Sequence, residues 1–329
     1  MMNTTSTSFQ SVLDALLSER KEFPRRYLQE FSDIGALELK TLLDVWPQVK
    51  PGRKLTLLEE LDALAETDTL VSFDDLARAL LTDPEADVRV RAIRLLDEYE
   101  DPKIVPSYLD MLKNDPDVNV RIEAANALNL FVDKGELEEI PASIYEQVED
   151  ALLASTASED DVRVRRAALE SLGYSSRPEV ATLIESSFRR QDPNWQTSAL
   201  VAMGRSADER WDDQVTRSLI HVDDRIRKAA VQAAGELSLP SARPILLKML
   251  GEEEDPVILS AIIWSLSQIG GEDVRTYLEN LLDQLEDDEQ IAFMEEALDN
   301  LAFTEDLDRF DLLAVDPDDE LAEIDEDDE

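Results

Sequence analysis

Apolar residues recur along this chain in a block that repeats at nearly constant spacing. Each block starts with an apolar residue, here called the anchor, and small or apolar residues follow four and eight positions later. The seven anchors are separated by 32, 44, 31, 31, 32 and 35 residues. Spacings of four and eight place all three positions on one helical face, and a period in this range is typical of stacked helical repeats. The anchors are Val88, Val120, Val164, Trp195, Ile226, Ile258 and Phe293.

A second segment with helical spacing precedes each anchor, as in Val105, Leu109 and Leu112. Acidic or proline-containing turns separate the two segments. Proline is tolerated in the first turn of a helix, and aspartate is a good N-cap immediately before it. Each repeat is therefore predicted to contain a first helix, a short turn and a second helix. The predicted first helices are 73–81, 104–112, 144–153, 180–188, 215–219, 245–250 and 274–285, and Asp-Pro pairs begin at Asp83, Asp115, Asp192 and Asp255.

The helix pairs predict an all-α fold, a right-handed α-solenoid of about seven repeats over residues 71–304. In residues 1–70, Leu57, Leu61 and Ala65 follow the same spacing, which predicts a divergent N-terminal helical cap. An insertion at 133–141 explains the interval of 44 residues and is predicted to be a longer surface loop. Residues 305–329 form an acidic C-terminal segment. From about 316, ten of fourteen residues are acidic and none is basic, so like-charge repulsion predicts a disordered tail.

The repeat resembles the HEAT family in its Asp-Pro turn, its Val-Arg pair, its alanine and its closing leucine, over residues 73–303. In that family the turn aspartate and the following arginine typically form a hydrogen-bonded ladder along the stack. The resemblance assigns this ladder to Asp83, Arg89, Asp115, Arg121, Arg165 and Arg227. It predicts an interruption where Gln196 replaces arginine, and a break towards the C-terminus, where Leu259 and Met294 follow their anchors. Gly173, Gly204 and Gly235 each stand nine residues after an anchor, which predicts close packing of helices.

The charge balance is extreme, because 75 acidic and 32 basic residues give a formal net charge of −43. Such a chain repels nucleic acid and anionic membranes at long range and attracts basic partners. Charge of this size also keeps a protein soluble, and we expect a monomer without membrane insertion. There is no cysteine, which excludes disulfides and thiolate metal sites. The expected location is the cytoplasm.

No catalytic constellation is evident, and neither a cofactor nor a metal site is predicted. Deoxyhypusine hydroxylase, a HEAT-repeat enzyme, uses paired His-Glu motifs, whereas this chain has one histidine, His221, at the end of a predicted first helix and followed by Val222. The sequence contains no phosphate-binding glycine loop. The function predicted is a non-catalytic scaffold or adaptor that binds an unidentified protein. Two alternatives stay open: a phycobilin-lyase-like or other HEAT-like enzyme or pigment-handling factor, and, less favoured by charge, a nucleic-acid-processing enzyme.

Positions six residues after the anchors are predicted to line the concave side of the solenoid. Aromatic residues dominate interface hot spots, so Trp264 and, one turn further along their helices, Tyr174 and Phe303 are candidates for partner contacts. Packing between repeats is the alternative for each. The predicted partner-binding residues are Arg94, Asn126, Glu170, Tyr174, Gln232 and Trp264.

Basic residues are concentrated at the starts of the second helices. Stacked together, they would form a stripe able to hold a carboxylate-rich segment. The alternative is that they neutralise the acidic turns beside them. The residues concerned are Arg89, Arg91, Arg94, Arg121, Arg163, Arg165, Arg166, Arg225, Arg227 and Lys228.

Deletion of residues 316–329 should leave the melting temperature nearly unchanged. It removes ten negative charges and changes the formal net charge from −43 to −33. The segment contains only Leu321, Ala322 and Ile324 as apolar residues. These are too few to offset about 1–2 kcal/mol of backbone entropy per ordered residue. Thermal unfolding followed by circular dichroism is the measurement, and a loss of several degrees would show that the segment is docked structure.

Overall fold

The computed structural model describes residues 9–18 and 22–313. These residues form α-helices and short 3₁₀ helices, with no strand among them. They pack as two compact units, which divide between Val180 and Ala181. The α-solenoid class predicted from the sequence is confirmed, since helix pairs stack on one another within each unit. The predicted disordered tail at 316–329 lies outside the described residues.

The first unit begins with three helices that precede the clear repeats and continues with three helix pairs and one extra helix. Short 3₁₀ helices cover Arg25–Phe31, Trp46–Gln48, Pro102–Ile104 and Leu172–Tyr174. The α-helices are α1 (Phe9–Leu17), α2 (Ala36–Val45), α3 (Pro51–Thr67), α4 (Asp74–Leu80), α5 (Ala86–Arg94), α6 (Val105–Asn114), α7 (Val118–Ala127), α8 (Asn129–Glu136), α9 (Ala142–Thr156) and α10 (Val162–Ser171).

The second unit contains the remaining repeats, and the division between the units falls within α11 (Pro178–Phe188). A 3₁₀ helix covers Glu209–Trp211. The other helices are α12 (Pro193–Arg205), α13 (Asp212–Ser218), α14 (Asp224–Glu236), α15 (Arg243–Leu250), α16 (Pro256–Ile269), α17 (Glu272–Leu282) and α18 (Asp288–Leu313).

The core of each unit is built from the anchors and the residues four and eight positions after them. We call α5, α7, α10, α12, α14, α16 and α18 the second helices, because each contains the anchor and the residue four positions after it. The last members Leu96, Leu128 and Leu172 lie just after the ends of α5, α7 and α10. Every member of these sets is buried except Phe293, which is half-exposed. The small side chain in the middle, alanine in all repeats but one, allows neighbouring helices to approach closely. The hydrophobic period therefore predicted the core correctly.

The Asp-Pro pairs play two different roles. Asp192 and Asp255 cap α12 and α16 with their side chains, and proline follows at the first helical position, as predicted. At Asp83 and Asp115 the predicted N-cap is wrong, since α5 and α7 start later, after Glu85 and Asp117. The physical reason is that these two aspartates have other partners. Each accepts a hydrogen bond from the backbone N–H two residues ahead. Each also binds a basic side chain of the preceding repeat or cap, Lys54 for Asp83 and Arg89 for Asp115.

Two other expectations from the sequence are corrected. The insertion at 133–141 is not simply a loop, because its first half continues α8 up to Glu136. The Tyr145 ring packs directly against Gly135, where a Cβ atom would come within 2.0 Å of the ring. In the cap, Leu57 and Leu61 are fully buried but Ala65 is exposed. The buried face of α3 therefore ends one turn earlier than predicted.

Glycines allow the second helices of the second unit to pack at short range. A Cβ atom on Gly204 would stand 2.9 Å from the Ala233 Cα atom of α14, and one on Gly235 would stand 2.8 Å from the Ser265 Cα atom of α16. In both cases the neighbour is helix backbone, which cannot move aside without displacing the next repeat. The close packing predicted for these two positions is therefore present.

Gly235→Ala should lower the free energy of unfolding by about 1–3 kcal/mol, the usual cost of overpacking a close contact. Gly52→Ala is the matched control, since a Cβ there meets nothing within 4 Å in α3. Alanine has the higher helix propensity, so the control should be neutral or stabilising by up to about 1 kcal/mol. Urea denaturation of both variants measures the difference, and equal effects would refute the close-packing role of Gly235.

Candidate protein-binding surface

One arginine in the first unit connects the turns of two consecutive repeats. Arg89 Nη1 donates to the carbonyl oxygen of Asp83 in its own repeat at 2.8 Å. Its Nε and Nη2 donate to the two carboxylate oxygens of Asp115, in the next repeat, at 2.9 and 2.7 Å. Arg89 is 8% exposed. This bidentate pair therefore fixes both the distance and the orientation between two repeats.

Arg121 repeats the same arrangement one repeat later. Its Nη1 donates to the Asp115 carbonyl oxygen at 2.8 Å, and its Nε and Nη2 donate to the Asp160 carboxylate at 2.8 and 2.6 Å. The hydrogen bonds from Arg121 hold the pKa of Asp160 below its usual value. The repeat pattern in the sequence does not identify Asp160 as a member of the ladder. The 44-residue interval moves the acceptor one position away from the six-residue offset of the other turns.

Lys54 takes the arginine position in the helix before the first clear repeat. The buried Lys54 ammonium lies 3.5 Å from Asp83 Oδ2 and 2.7 Å from Glu85 Oε1. Trp46 Nε1 donates to the same Asp83 oxygen at 2.7 Å. The sequence contained the signal, because Lys54 precedes the buried Leu57 by three residues, as Arg89 precedes Ala92.

The arginine contacts change in later repeats. Arg165 Nε donates to the Thr156 carbonyl oxygen at 3.0 Å. Gln196, at the arginine position of its repeat, donates to the Phe188 carbonyl oxygen at 3.3 Å. Arg227 keeps the contact with the backbone six residues earlier, at His221, and pairs with Glu253 at 3.5 Å. Arg227 therefore still forms an ion pair with an acidic residue of the next turn, one repeat after the interruption at Gln196.

His221 occupies the turn position that Asp83 and Asp115 occupy in earlier repeats. It is not at the end of a helix, as the sequence had suggested, since α13 ends at Ser218. His221 Nδ1 accepts a hydrogen bond from the Asp223 N–H at 3.0 Å, as the aspartate side chains do from the residue two positions ahead. The imidazole ring therefore replaces the carboxylate as the acceptor of the turn, in the repeat after the one that carries Gln196.

Most of the basic stripe is engaged in ion pairs. Arg91 pairs with Glu59 of α3, and Arg94 pairs with Glu123 of α7. Both arginines of α5 therefore bridge to a neighbouring helix of the first unit. The hydrogen bonds to Glu123 raise the pKa of Arg94 above its usual value. This pairing supports the neutralising role over an open anion-binding stripe. The members of the stripe that form ion pairs are Arg89, Arg91, Arg94, Arg121, Arg163, Arg225 and Arg227.

The predicted partner-binding residues lie in different environments in the two units. In the first unit Arg94 is exposed but bonded to Glu123, and Asn126 and Glu170 are half-buried on their helices. Tyr174 is half-buried in the 3₁₀ helix Leu172–Tyr174 that ends the repeat. We call the exposed parts of α5, α7 and α10 the first-unit surface. On it, Arg91 and Arg94 are paired with Glu59 and Glu123.

The second-helix surface of the second unit has more aromatic and amide side chains. Gln232 on α14 is exposed, and Trp264 on α16 is half-buried. The Trp264 ring lies 6.5 Å from the Phe293 ring of α18, at an interplanar angle of 32°. Phe303, further along α18, is 64% exposed. We call the exposed parts of α12, α14, α16 and α18 the second-unit surface.

Trp264 therefore has two roles in this geometry. One side of its ring supports the half-exposed anchor Phe293 of the next repeat, and its remaining surface faces solvent. Sequence reasoning had placed Trp264 correctly on the second helices but had not found its contact with Phe293. Phe293 is the one anchor that is not fully buried, and the next residue along α18, Met294, is buried in its place at 2% exposure.

No group of three or more His, Asp or Glu side chains within residues 9–18 and 22–313 is arranged to hold a metal ion. No helix in the described part of the chain is both long and apolar enough to cross a membrane.

Comparison with known proteins identifies the repeat. The HEAT-repeat family model matches residues 73–142 and 214–299, which include the Arg89 and Arg227 contacts described above. The chain is a HEAT-repeat protein over these two segments. No curated protein sequence matches it significantly.

Several solved structures have a similar arrangement of helices. The complex of CpcE and CpcF of phycocyanin lyase from Nostoc sp. PCC7120 has 20% identity and a TM-score of 0.46, covering 69% of this chain and 94% of that one. Kap121p bound to Ste12p has 14% identity and a TM-score of 0.44, covering 90% and 37%. Human deoxyhypusine hydroxylase in complex with glycerol has 15% identity and a TM-score of 0.35, covering 79% and 95%. Similarity at this level supports no inference about function.

Asp160→Asn should lower the free energy of unfolding at neutral pH by about 1–3 kcal/mol, because the amide keeps the shape but loses the charge that Arg121 bonds. The folded-state pKa of Asp160 is lowered, so its stabilisation is present above the unfolded value and is lost as the pH falls through the folded one. The difference between wild type and variant should therefore shrink below about pH 4.

The control for this prediction is Asp213→Asn, which removes an equally charged but exposed partner of Arg217. Exposed pairs contribute about 0–1 kcal/mol, so the control should change stability little at any pH. Chemical denaturation across a pH series measures both variants. A pH-independent loss in Asp160→Asn would contradict the role of its charge.

Proposed function

We propose that this HEAT-repeat chain is a non-catalytic scaffold or adaptor that binds a protein partner through the second-helix surface of its repeats. The observation that supports the proposal is the contrast between the two units. On the first-unit surface, Arg91 and Arg94 form ion pairs with Glu59 and Glu123 of the same chain. On the second-unit surface, Trp264, Gln232 and Phe303 offer aromatic and amide groups of the kind that interface centres favour.

The repeat architecture suits such a role for a thermodynamic reason. The Arg89 and Arg121 pairs and the close helix contacts at Gly204 and Gly235 hold the second helices in place before any partner arrives. A preorganised receptor loses little conformational entropy on binding, so more of the contact energy appears as affinity. The second-unit surface would then act as a fixed template for the partner.

Several features of the chain agree with a non-catalytic role. The one histidine, His221, is held by the Asp223 N–H in a turn, and the sequence has no cysteine to act as a nucleophile. The cytoplasmic location and the monomeric state predicted from the sequence remain part of this proposal. A bound chromophore in protein purified from its natural source would favour the pigment-handling alternative. DNA affinity that falls steeply with salt would favour the nucleic-acid alternative.

Photo-crosslinking from the second helices tests the surface directly. A benzoylphenylalanine placed at Gln232, which is exposed on α14, should crosslink the native partner in cells that express the protein. The same group at Arg217, which is exposed on α13, is the control on a first helix. Crosslinks from position 217 and none from 232 would place the partner on the opposite side and reject the proposal.

Trp264→Ala should weaken binding of the crosslinked partner by at least about fivefold, equivalent to about 1 kcal/mol, as truncations at hot spots commonly do. Tyr277→Ala is a matched control, since Tyr277 is a 52% exposed aromatic residue on the first helix α17. Calorimetric titration gives the affinities, and thermal unfolding reports the loss of the Phe293 contact. Normal binding by a variant that melts much earlier would make Trp264 a packing residue only.

A further inference from the structure

Three turns of the second unit, each joining the first and second helix of one repeat, lie along one edge of the stack. Arg227 connects the first two of them. Its Nη1 donates to the His221 carbonyl oxygen at 3.1 Å, and its Nη2 pairs with Glu253 at 3.5 Å. We define the turn edge as these turns together with the first two residues of α14, α16 and α18, which are residues 219–225, 251–257 and 283–289.

The third turn belongs to the same edge because α16 and α18 run in the same direction. The Trp264 ring of α16 lies 6.5 Å from the Phe293 ring, near the start of α18. Further along both helices, the Ser267 hydroxyl accepts a hydrogen bond from Asn300 Nδ2 at 2.9 Å. The starts of α16 and α18 are therefore side by side, and so are the turns that precede them.

Three aliphatic side chains of the turn edge face solvent. Val222 is 91% exposed, Ile220 74% and Val257 55%. None of them belongs to the anchor sets that build the core. The repeats of the first unit have polar residues or proline at the same distances from their anchors. These are Thr82, Pro84 and Asp87 in one repeat and Asn114, Pro116 and Asn119 in the next. The aliphatic residues are therefore a local feature of this edge, and neither the repeat pattern nor the core requires them.

The aliphatic side chains are surrounded by negative charge. The turn edge contains eleven acidic residues and one basic residue, Arg225, which pairs with Asp223. In the first unit, ladder arginines bind the acidic turns, but Leu259 and Met294 stand at the ladder position after the second and third turns. The sequence has no Lys or Arg between 276 and 308, and Arg275 pairs with Glu305. The edge therefore has a large excess of negative charge.

We propose that the turn edge is a docking site for a segment of a partner protein in which aliphatic residues alternate with lysine or arginine. The aliphatic residues of the segment would leave water by packing on Ile220, Val222 and Val257, and its cations would face the carboxylates around them. A second copy of this chain is a poor occupant, because its turn edge has the same sign of charge. The site rests on the proposed scaffold function and adds to it a surface at the starts of the second helices.

The test uses the full-length protein and two fluorescent synthetic peptides, one of alternating lysine and leucine and one with serine at each leucine position. Anisotropy titrations at physiological salt give both affinities. Wild type should bind the leucine peptide at least about tenfold more tightly than the serine peptide, since only the leucines bury apolar surface. Val222→Ser should weaken the leucine peptide about three- to tenfold and the serine peptide less than twofold.

Leu70→Ser is the matched control for the aliphatic contact, because Leu70 is 89% exposed and lies in the first unit. It should change neither affinity more than about twofold, within the usual effect of an exposed substitution. Both side chains are so exposed that both variants should fold, which thermal unfolding checks.

A second pair of variants tests the charge. Glu254→Gln removes an exposed carboxylate of the turn edge, and Glu209→Gln removes an exposed one from the connection between α12 and α13. Glu254→Gln should weaken both peptides about two- to threefold, more at low salt, where screening is weak. Glu209→Gln should have the smaller effect on both.

Equal affinity of wild type for the two peptides, or equal effects of Val222→Ser and Leu70→Ser, would show that the exposed aliphatic residues take no part and would overturn the proposal. Dimerisation of wild type that Val222→Ser abolishes would make the edge an interface between two copies, which also overturns it. Peptide binding that does not depend on Val222, with the crosslink at position 232 intact, rejects the turn edge and keeps the scaffold function. Binding that depends on Val222, with no crosslink from the second helices, supports the turn edge and rejects the second-helix surface.

Discussion

The bidentate contact between an arginine at the start of one second helix and an aspartate in the next turn is the interaction on which the stacking in the first unit depends. Arg89 satisfies its own turn through the Asp83 carbonyl oxygen and the next turn through the Asp115 carboxylate. Breaking a buried pair of this kind leaves an uncompensated charge, which is far more costly than losing an exposed pair. Hydrophobic burial holds neighbouring helices together without direction, whereas these contacts fix their orientation.

The same contacts explain how an extremely acidic chain uses its few cations. Arginines at the second helices neutralise the carboxylates that the repeat brings closest together, both in the turns and across the helices, as in the Arg94–Glu123 pair. On the first-unit surface, Arg91 and Arg94 are therefore already paired within the protein. Where the pattern changes, at Gln196 and His221, an amide and an imidazole make the contacts of the turns, and the second-unit surface adds aromatic and amide side chains to the ion pairs of Arg225 and Arg227. The change in the ladder and the change in surface chemistry occur in the same unit.

Glu236 and Trp264 both lie on the second helices of the second unit, on the surface for which we propose a binding role. Glu236 is exposed at the end of α14, and desolvation raises its pKa while Arg205 opposes that shift. Trp264 supports Phe293 on one side and faces solvent on the other. Local departures of this kind from an optimised repeat are expected where a surface serves a partner.

The sequence by itself determined the repeat and its core, because a period near 32 residues and an apolar face spaced by four residues leave little choice of fold. It also placed Arg89, Arg121 and Trp264 on the second helices. Only the tertiary structure decided which groups meet: Lys54 with Asp83, Arg121 with Asp160, Trp264 with Phe293, and Glu236 over Gly204. The reason is that helical periodicity is a local property that one segment encodes alone. Pairing between repeats depends on the lengths of turns and on the tilt between helices, so a one-residue shift in the 44-residue interval changes the partner of Arg121 without disturbing the apolar pattern.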